Sequence, residues 1–323
     1  MLQASKNPVI FEIFNWKSPK NGEILPPAEP CSPRAHPPGS LDESPTLAPT
    51  MGVWCVLTHP LHPLSQAIFA KAALEGVKFV AEPPACVELR QRHAAVLAAF
   101  PDALEARTHD EVTTLNRYDA RIFQLLIGKG EEPIMTPPSR LLRIMNGHLG
   151  HDSEAAGVTL CIHDVLPPAP GSELEQMFRE WMEASRSQTT PNLTEQQHHW
   201  CDVSDVSAMV TAILRDSFSD GTYHASGRRG WTTAETWREF DALVQRTIAG
   251  QTGSFGTEHL VASGVPAVEA VPIKDHENRR TRPDLGPLHA ELMRVNGEGW
   301  RPKTPLRQSL MMVIAQLSER QST

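Results

Sequence analysis

The chain has 323 residues, with 30 Lys+Arg against 38 Asp+Glu and a formal net charge of −8, enough for one large α/β unit or two ordinary domains of roughly 100–200 residues. The acidic balance and the lack of a dense Lys/Arg stripe exclude a nucleic-acid binder, and no apolar run approaches the ~18 residues of a membrane span. Cys31, Cys55, Cys86, Cys161 and Cys201 form no CxxC pair, and the N-terminus lacks a secretory apolar region, so the expectation is a cytoplasmic protein with free thiols.

Ten of the 28 prolines precede residue 50, most of them in PPAEPCSPRAHPPGSLDESPTLAPT. Such a stretch cannot build a hydrogen-bond ladder and has little to bury, so residues 1–50 read as an extended or disordered arm. Met51, where globular composition begins, is an alternative start. From Val53 an apolar run (VWCVLT), a helix over about Leu64 to Leu74, Gly76 and a second run Val77 to Val80 open a βαβ unit. Glu88 to Phe100 reads as a helix stopped by Pro101, and Ala120 to Ile127 as a buried strand. A helix over about Ser139 to Leu149 and a strand VTLCIHDVL from Val158 follow. Later come helices over Leu174 to Ala184 and Val206 to Arg215, a strand Gly221 to Ala225, and a helix opened at Thr232-Thr233-Ala234-Glu235 by a capping box. Gly250 to Gly264 reads as a loop and Leu306 to Leu317 as the last helix. Strands alternating with helices of this size imply a parallel sheet covered on both faces.

Three segments then carry a resemblance. Trp200-Cys201-Asp202-Val203-Ser204-Asp205-Val206-Ser207, Gly221-Thr222-Tyr223-His224, and Arg282-Pro283-Asp284 followed by Gly299-Trp300-Arg301-Pro302-Lys303-Thr304-Pro305-Leu306 stand in this order along the C-terminal half. Together they resemble the extended short-chain dehydrogenase/reductase family, the NAD-dependent epimerases and dehydratases of nucleotide sugars. The resemblance implies an α/β fold: a shortened Rossmann-like doubly wound parallel sheet with a small C-terminal α/β lobe. Residues 51–165 would form the degenerate core, and residues 166–323 the substrate-lobe segments with a strand and a helix returning to it. It places Arg282 against the diphosphate of a nucleotide sugar, with Asp164 in Cys161-Ile162-His163-Asp164-Val165-Leu166-Pro167-Pro168 at a second substrate-binding position. A dimer, homomeric or with an active relative, is also implied.

The cofactor and catalytic motifs depart from this pattern. His59, His62 and Ser65 replace the three glycines after the first strand, where glycines permit the tight turn, the approach of pyrophosphate and the helix–strand contact; Pro60 and Pro63 remove amide donors. The family's Tyr-x-x-x-Lys pair is absent, because the residues four places after Tyr118 and Tyr223 are Ile122 and Gly227. Alignment on the presumed helix puts Thr136 and Arg140 in those catalytic roles, and a threonine hydroxyl is too weak an acid to replace the phenol. The 78 residues from Thr58 to Thr136 are about half the family's span, with the shortening expected around 83–119. The expectation is a pseudoenzyme without cofactor, acting as a binding or regulatory partner or as a cofactor-independent enzyme reusing the cleft. The alternative is an active NAD(P)-dependent nucleotide-sugar epimerase, dehydratase or reductase with an atypical loop, in which His59 and His62 turn outward or meet phosphate as cations. No metal is expected, since His59-x-x-His62 has no third ligand at a characteristic spacing.

Overall fold

The computed structural model describes residues 52–113, 120–127, 140–146, 157–216, 218–259 and 282–321; the proline-rich segment 1–50 lies outside the described residues. Strand β1 (Gly52–Leu57) leads through helix α1 (Pro63–Ala73) to β2 (Lys78–Ala81). Helices α2 (Pro83–Arg92) and α3 (Ala94–Ala99) connect that strand to β3 (Leu104–Ala106), and α4 (His109–Thr113) follows. Next come β4 (Ala120–Ile127), β5 (Arg140–Asn146), β6 (Val158–Ile162), β7 (Val165–Leu166) and α5 (Glu173–Arg186). The chain continues through β8 (Gln197–His198), β9 (Cys201–Asp202), α6 (Val203–Arg215), β10 (Gly221–Ala225) and β11 (Trp231–Thr232), then α7 (Thr233–Thr252), α8 (Gly286–Asn296) and α9 (Leu306–Gln321).

Seven strands form one sheet in the order β10-β6-β5-β4-β1-β2-β3, and every neighbouring pair is parallel. The strand order reverses between β1 and β4, so the sheet is doubly wound and Rossmann-like, with its switch point where open α/β sheets place ligands. Strand β1 sits centrally and is correspondingly apolar: Val53 to Leu57 are all buried, as two covered faces require.

The helix expected over Ser139 to Leu149 does not form; Arg140–Asn146 is strand β5. Its register, Leu142 against Val158 and Ile144 against Leu160, puts Leu142 and Ile144 into the core while Leu141, Arg143 and Met145 stay half-buried. The expected shortening around 83–119 is also misplaced, because that stretch contains α2, α3, β3 and α4. The short links are β4 to β5 and β5 to β6, with 12 and 11 residues, the minimum length of a parallel crossover. The predicted helix over Glu88 to Phe100 starts earlier and breaks at His93 into α2 and α3.

Three hydrophobic clusters hold the described residues. The smallest, Trp54, Val56, Val80, Val112 and Ile122, lies on the other face of the sheet's β1, β2 and β4, and two carry the longer helices. The larger joins the sheet to α1, α6 and α8, and includes Ile68, Phe69, Phe79, Leu142, Val210 and Trp300. The smaller is built by α5, α7 and α9 around Phe178, Trp181, Phe240 and Leu310. Residues after 166 therefore supply a strand and helices to the first cluster and build the second. Helix α7 begins with the predicted capping box, in which the Thr232 hydroxyl accepts from the Glu235 amide and the Glu235 carboxylate accepts from the Thr232 amide. No helix among the described residues is long and apolar enough to cross a membrane.

Candidate functional site

The C-terminal ends of the strands meet the turn His59 to His62. Thr58 fixes the turn's entry by donating its hydroxyl to Leu125 O at 2.8 Å, and the His62 amide closes it on His59 O at 3.1 Å. His62 is the N-cap of α1: its Nδ1 accepts from the Leu64 amide at 3.2 Å. The Gln66 amide is not available to a ligand either, since it donates to His62 O at 3.0 Å, and Pro63 at the first helical position has no N–H. Of the amides that make a helix N-terminus an anion cradle, the His62 imidazole takes that of Leu64 and the His62 carbonyl that of Gln66, while proline lacks one, which leaves that of Ser65. Ser65 itself is 1% exposed and its hydroxyl has no partner among the described residues, so a side chain fills the close helix–strand contact where the resemblance places the third glycine.

His62 titrates below its ordinary value of 6.5, first because burial penalises the cation and second because His59 repels it. A neutral ring suits the cap, since only neutral imidazole has an acceptor nitrogen. The depressed pKa means that the unfolded chain takes up the proton first as pH falls through 6.5, so stability is full above that point and declines below it. His93, lowered by burial and by Arg92, acts in the same direction. Urea unfolding at a series of pH values should show stability decreasing below about pH 6.5, and His62→Gln should flatten that decline.

Beside the turn lies a cavity of about 320 Å³. Ile127, Ile144 and Ile162, at the ends of β4, β5 and β6, form one wall, and Pro167, Pro168 and Val203 another. Its polar members are His62, Asp164 and Ser172. Asp164 is 4% exposed; its Oδ1 lies 3.0 Å from His198 Nδ1 and its Oδ2 accepts the His199 amide at 2.7 Å. This expected substrate-binding residue thus lines the cavity with both carboxylate oxygens engaged by the protein.

The two expected catalytic positions do not meet on a helix. Arg140 is the first residue of β5, at the opposite end of the strand from the cavity, where its guanidinium donates to Phe218 O at 2.7 Å and Asp220 Oδ1 at 2.9 Å. Thr136 lies outside the described residues. Tyr223 is spent at that same end, donating its hydroxyl to Ser219 O at 2.9 Å, and burial, then Glu291, pushes its pKa up. Burial likewise raises the thiols of Cys55, Cys201 and Cys161, the last to about 12, which disfavours the reactive thiolate. Among the described residues no group of three His, Cys, Asp or Glu could hold a metal.

Arg282 opens a second cavity of about 370 Å³ with Arg228, His289 and Trp300. Sequence reasoning had singled out Arg282 but missed Arg228 and His289; the Gly227-Arg228-Arg229 run and the Pro287 start of α8 were the available signals. It also missed Glu82, directly after β2, which lies 3.7 Å from His109 beside a third cavity of about 110 Å³. An acid at the end of the second strand is where dinucleotide folds bind a ribose. That space is small beside the roughly 300–1,000 Å³ of ligand clefts.

No family model matches the chain, and no curated protein does. Among solved structures it is similar to the Bordetella bronchiseptica enzyme WbmG in complex with NAD, at 11% identity over 85% of this chain and 96% of that one, TM-score 0.45. It is also similar to RMD from Pseudomonas aeruginosa complexed with NADPH, at 12% identity over 84% and 99%, TM-score 0.48. The UDP-glucose 4-epimerase of Thermotoga maritima with UDP-glucose gives 12% identity over 83% and 99%, TM-score 0.47.

Proposed function

We propose that the chain is a divergent extended short-chain dehydrogenase/reductase homologue without NAD-dependent redox activity. It acts as a binding or regulatory partner, paired with itself or with an active relative, or as a cofactor-independent enzyme reusing the cleft. The observation that carries this reading is the His62 cap on α1, which occupies the amide a pyrophosphate would need. The absence of any Tyr-x-x-x-Lys in the sequence supports it, because hydride chemistry of this class needs a phenol whose proton a neighbouring lysine loosens. The retained ligand is a nucleotide sugar held through its diphosphate by Arg282 and Arg228, whose planar forks suit phosphate oxygens.

The competing reading, an active NAD(P)-dependent nucleotide-sugar enzyme with an atypical loop, draws on Glu82 at the end of β2. Calorimetry separates the two. No heat is expected with NAD⁺, NADH, NADP⁺ or NADPH, and binding is expected with UDP- or dTDP-sugars. Arg282→Ala should weaken that sugar-nucleotide binding by ~1.5–3 kcal/mol and leave the melting temperature unchanged, since Arg282 is exposed. Micromolar dinucleotide affinity would sink the redox-inactive reading.

A further inference from the structure

The apolar cavity at the strand ends has a donor and acceptor inventory that selects its ligand. Asp164 is nearly wholly buried, and each of its carboxylate oxygens is already held by the protein, one by His198 and one by the His199 amide. Ser172 Oγ donates to Ala169 O at 2.6 Å and accepts from the Glu175 amide at 3.2 Å as the N-cap of α5, which uses its single proton. His62 accepts through Nδ1, which places the ring proton on Nε2 and leaves one N–H donor. Among the described residues no lysine or arginine lines the space, and the remaining wall is isoleucine, leucine, valine, methionine, proline and alanine.

A hexose carries more hydroxyls than these few polar side chains could serve, so several would lose water without a replacement partner; a phosphate would be desolvated with no cation among the described residues to meet it. An uncharged hydrocarbon or aromatic ligand incurs neither penalty and gains from the apolar surface it buries. We propose that this cavity binds a small, uncharged, largely apolar molecule with one acceptor atom toward His62. The volume of about 320 Å³ lies at the small end of ligand clefts, so the ligand is the size of a two-ring aromatic or a short acyl chain. The inference rests on the reading that no nicotinamide dinucleotide occupies this end of the sheet. It adds a ligand class distinct from the sugar nucleotide assigned to the Arg228 and Arg282 cavity.

The test uses the full chain and N-phenyl-1-naphthylamine, an uncharged two-ring-system amine whose emission rises and shifts to the blue in apolar surroundings. Saturable binding of one reporter per chain is expected. Ala169→Trp and Met145→Trp, which fill the cavity from two sides, should each weaken binding by about tenfold or more with the circular-dichroism spectrum retained. Where one variant fails to fold, the other decides; if both fail, protection of the amides of residues 162–165 from hydrogen exchange upon reporter binding decides. No saturable binding to the parent chain would overturn the proposal, as would unchanged affinity in a folded filled variant or, in the exchange measurement, unprotected amides. Adding NAD⁺ to the complex distinguishes the two levels of failure. Displacement at micromolar NAD⁺ would bring down the redox-inactive reading as well, whereas absent reporter binding with absent NAD⁺ binding would sink this inference alone.

Discussion

Asp164→Ala will destabilise the protein by about 3–5 kcal/mol, the cost of breaking a buried ionisable pair by removing one partner. The carboxylate and His198 are 4% and 2% exposed, so water cannot replace the lost acceptor, and the His199 amide is orphaned at the same time. Asp164 also has φ +49°, a left-handed conformation that aspartate and asparagine tolerate and alanine resists. The damage spreads along the chain because the same residue's carbonyl accepts from the Cys201 amide at 3.0 Å, and Asp202 beyond it caps α6 and accepts from Ser309 at 2.5 Å. Asp164→Asn keeps the backbone conformation and one acceptor for the His199 amide, and should retain about half of the loss. Thermal unfolding followed by circular dichroism should show Asp164→Ala melting about 6–15 °C lower. A drop of under about 2 °C would mean that His198 is held by its stacking on Trp200, whose ring lies 4.3 Å away, and not by the carboxylate.

How far the fold was legible follows from the kind of signal each element offers. Helix α7 was readable because Thr232 and Glu235 announce its start chemically, and β1 because five consecutive apolar residues bounded by turn residues suit a doubly covered strand. Strand β5 was not, since Leu141, Ile144 and Met145 are spaced as on a helix face and a short apolar run cannot be assigned by periodicity alone; only its neighbours β4 and β6 settle the matter. Strand β3, three residues long, carries no pattern at all. Helix α8 did have signals, Pro287 in its first turn and Gly297 in the left-handed conformation at its end.

The site was legible in its departures and not in its geometry. Counting showed that His59, His62 and Ser65 replace three glycines, and sterics alone suggested a blocked turn. Histidine is not among the preferred N-cap residues, so nothing in the letters indicated that His62 would turn back to satisfy the helix itself. Asp164 could be matched to a substrate-binding position, yet its engagement depends on His198 and His199, which are 34 and 35 residues away in sequence. The C-terminal segment that carries the resemblance also bonds the scaffold. Asp205 accepts the amides of Lys303 and Thr304, each at 3.0 Å, tying α6 to the segment before α9 whatever the cleft binds.

The second large effect follows from that division: Trp300→Ala should cost about 3–5 kcal/mol, as expected for truncating a buried aromatic, while the exposed Arg282 in the same cavity can be truncated without loss of stability. Trp300 is 3% exposed and belongs to the main core. Its indole N–H donates to Ser226 O at 2.9 Å, its amide to His289 Nδ1 at 3.1 Å, and its carbonyl accepts from Arg228 at 3.1 Å. The side chain thus closes the link between β10 and the segment before α9. Trp300→Phe retains most of the ring's burial and removes only the indole donor, leaving Ser226 O unpaired, which should cost about 1–3 kcal/mol. Denaturant unfolding of the three variants should therefore rank Trp300→Ala well below Trp300→Phe, with Arg282→Ala at the parent value. If Arg282→Ala fell as far as Trp300→Ala, the arginine would be a structural tie and its assignment to a diphosphate would fail with it.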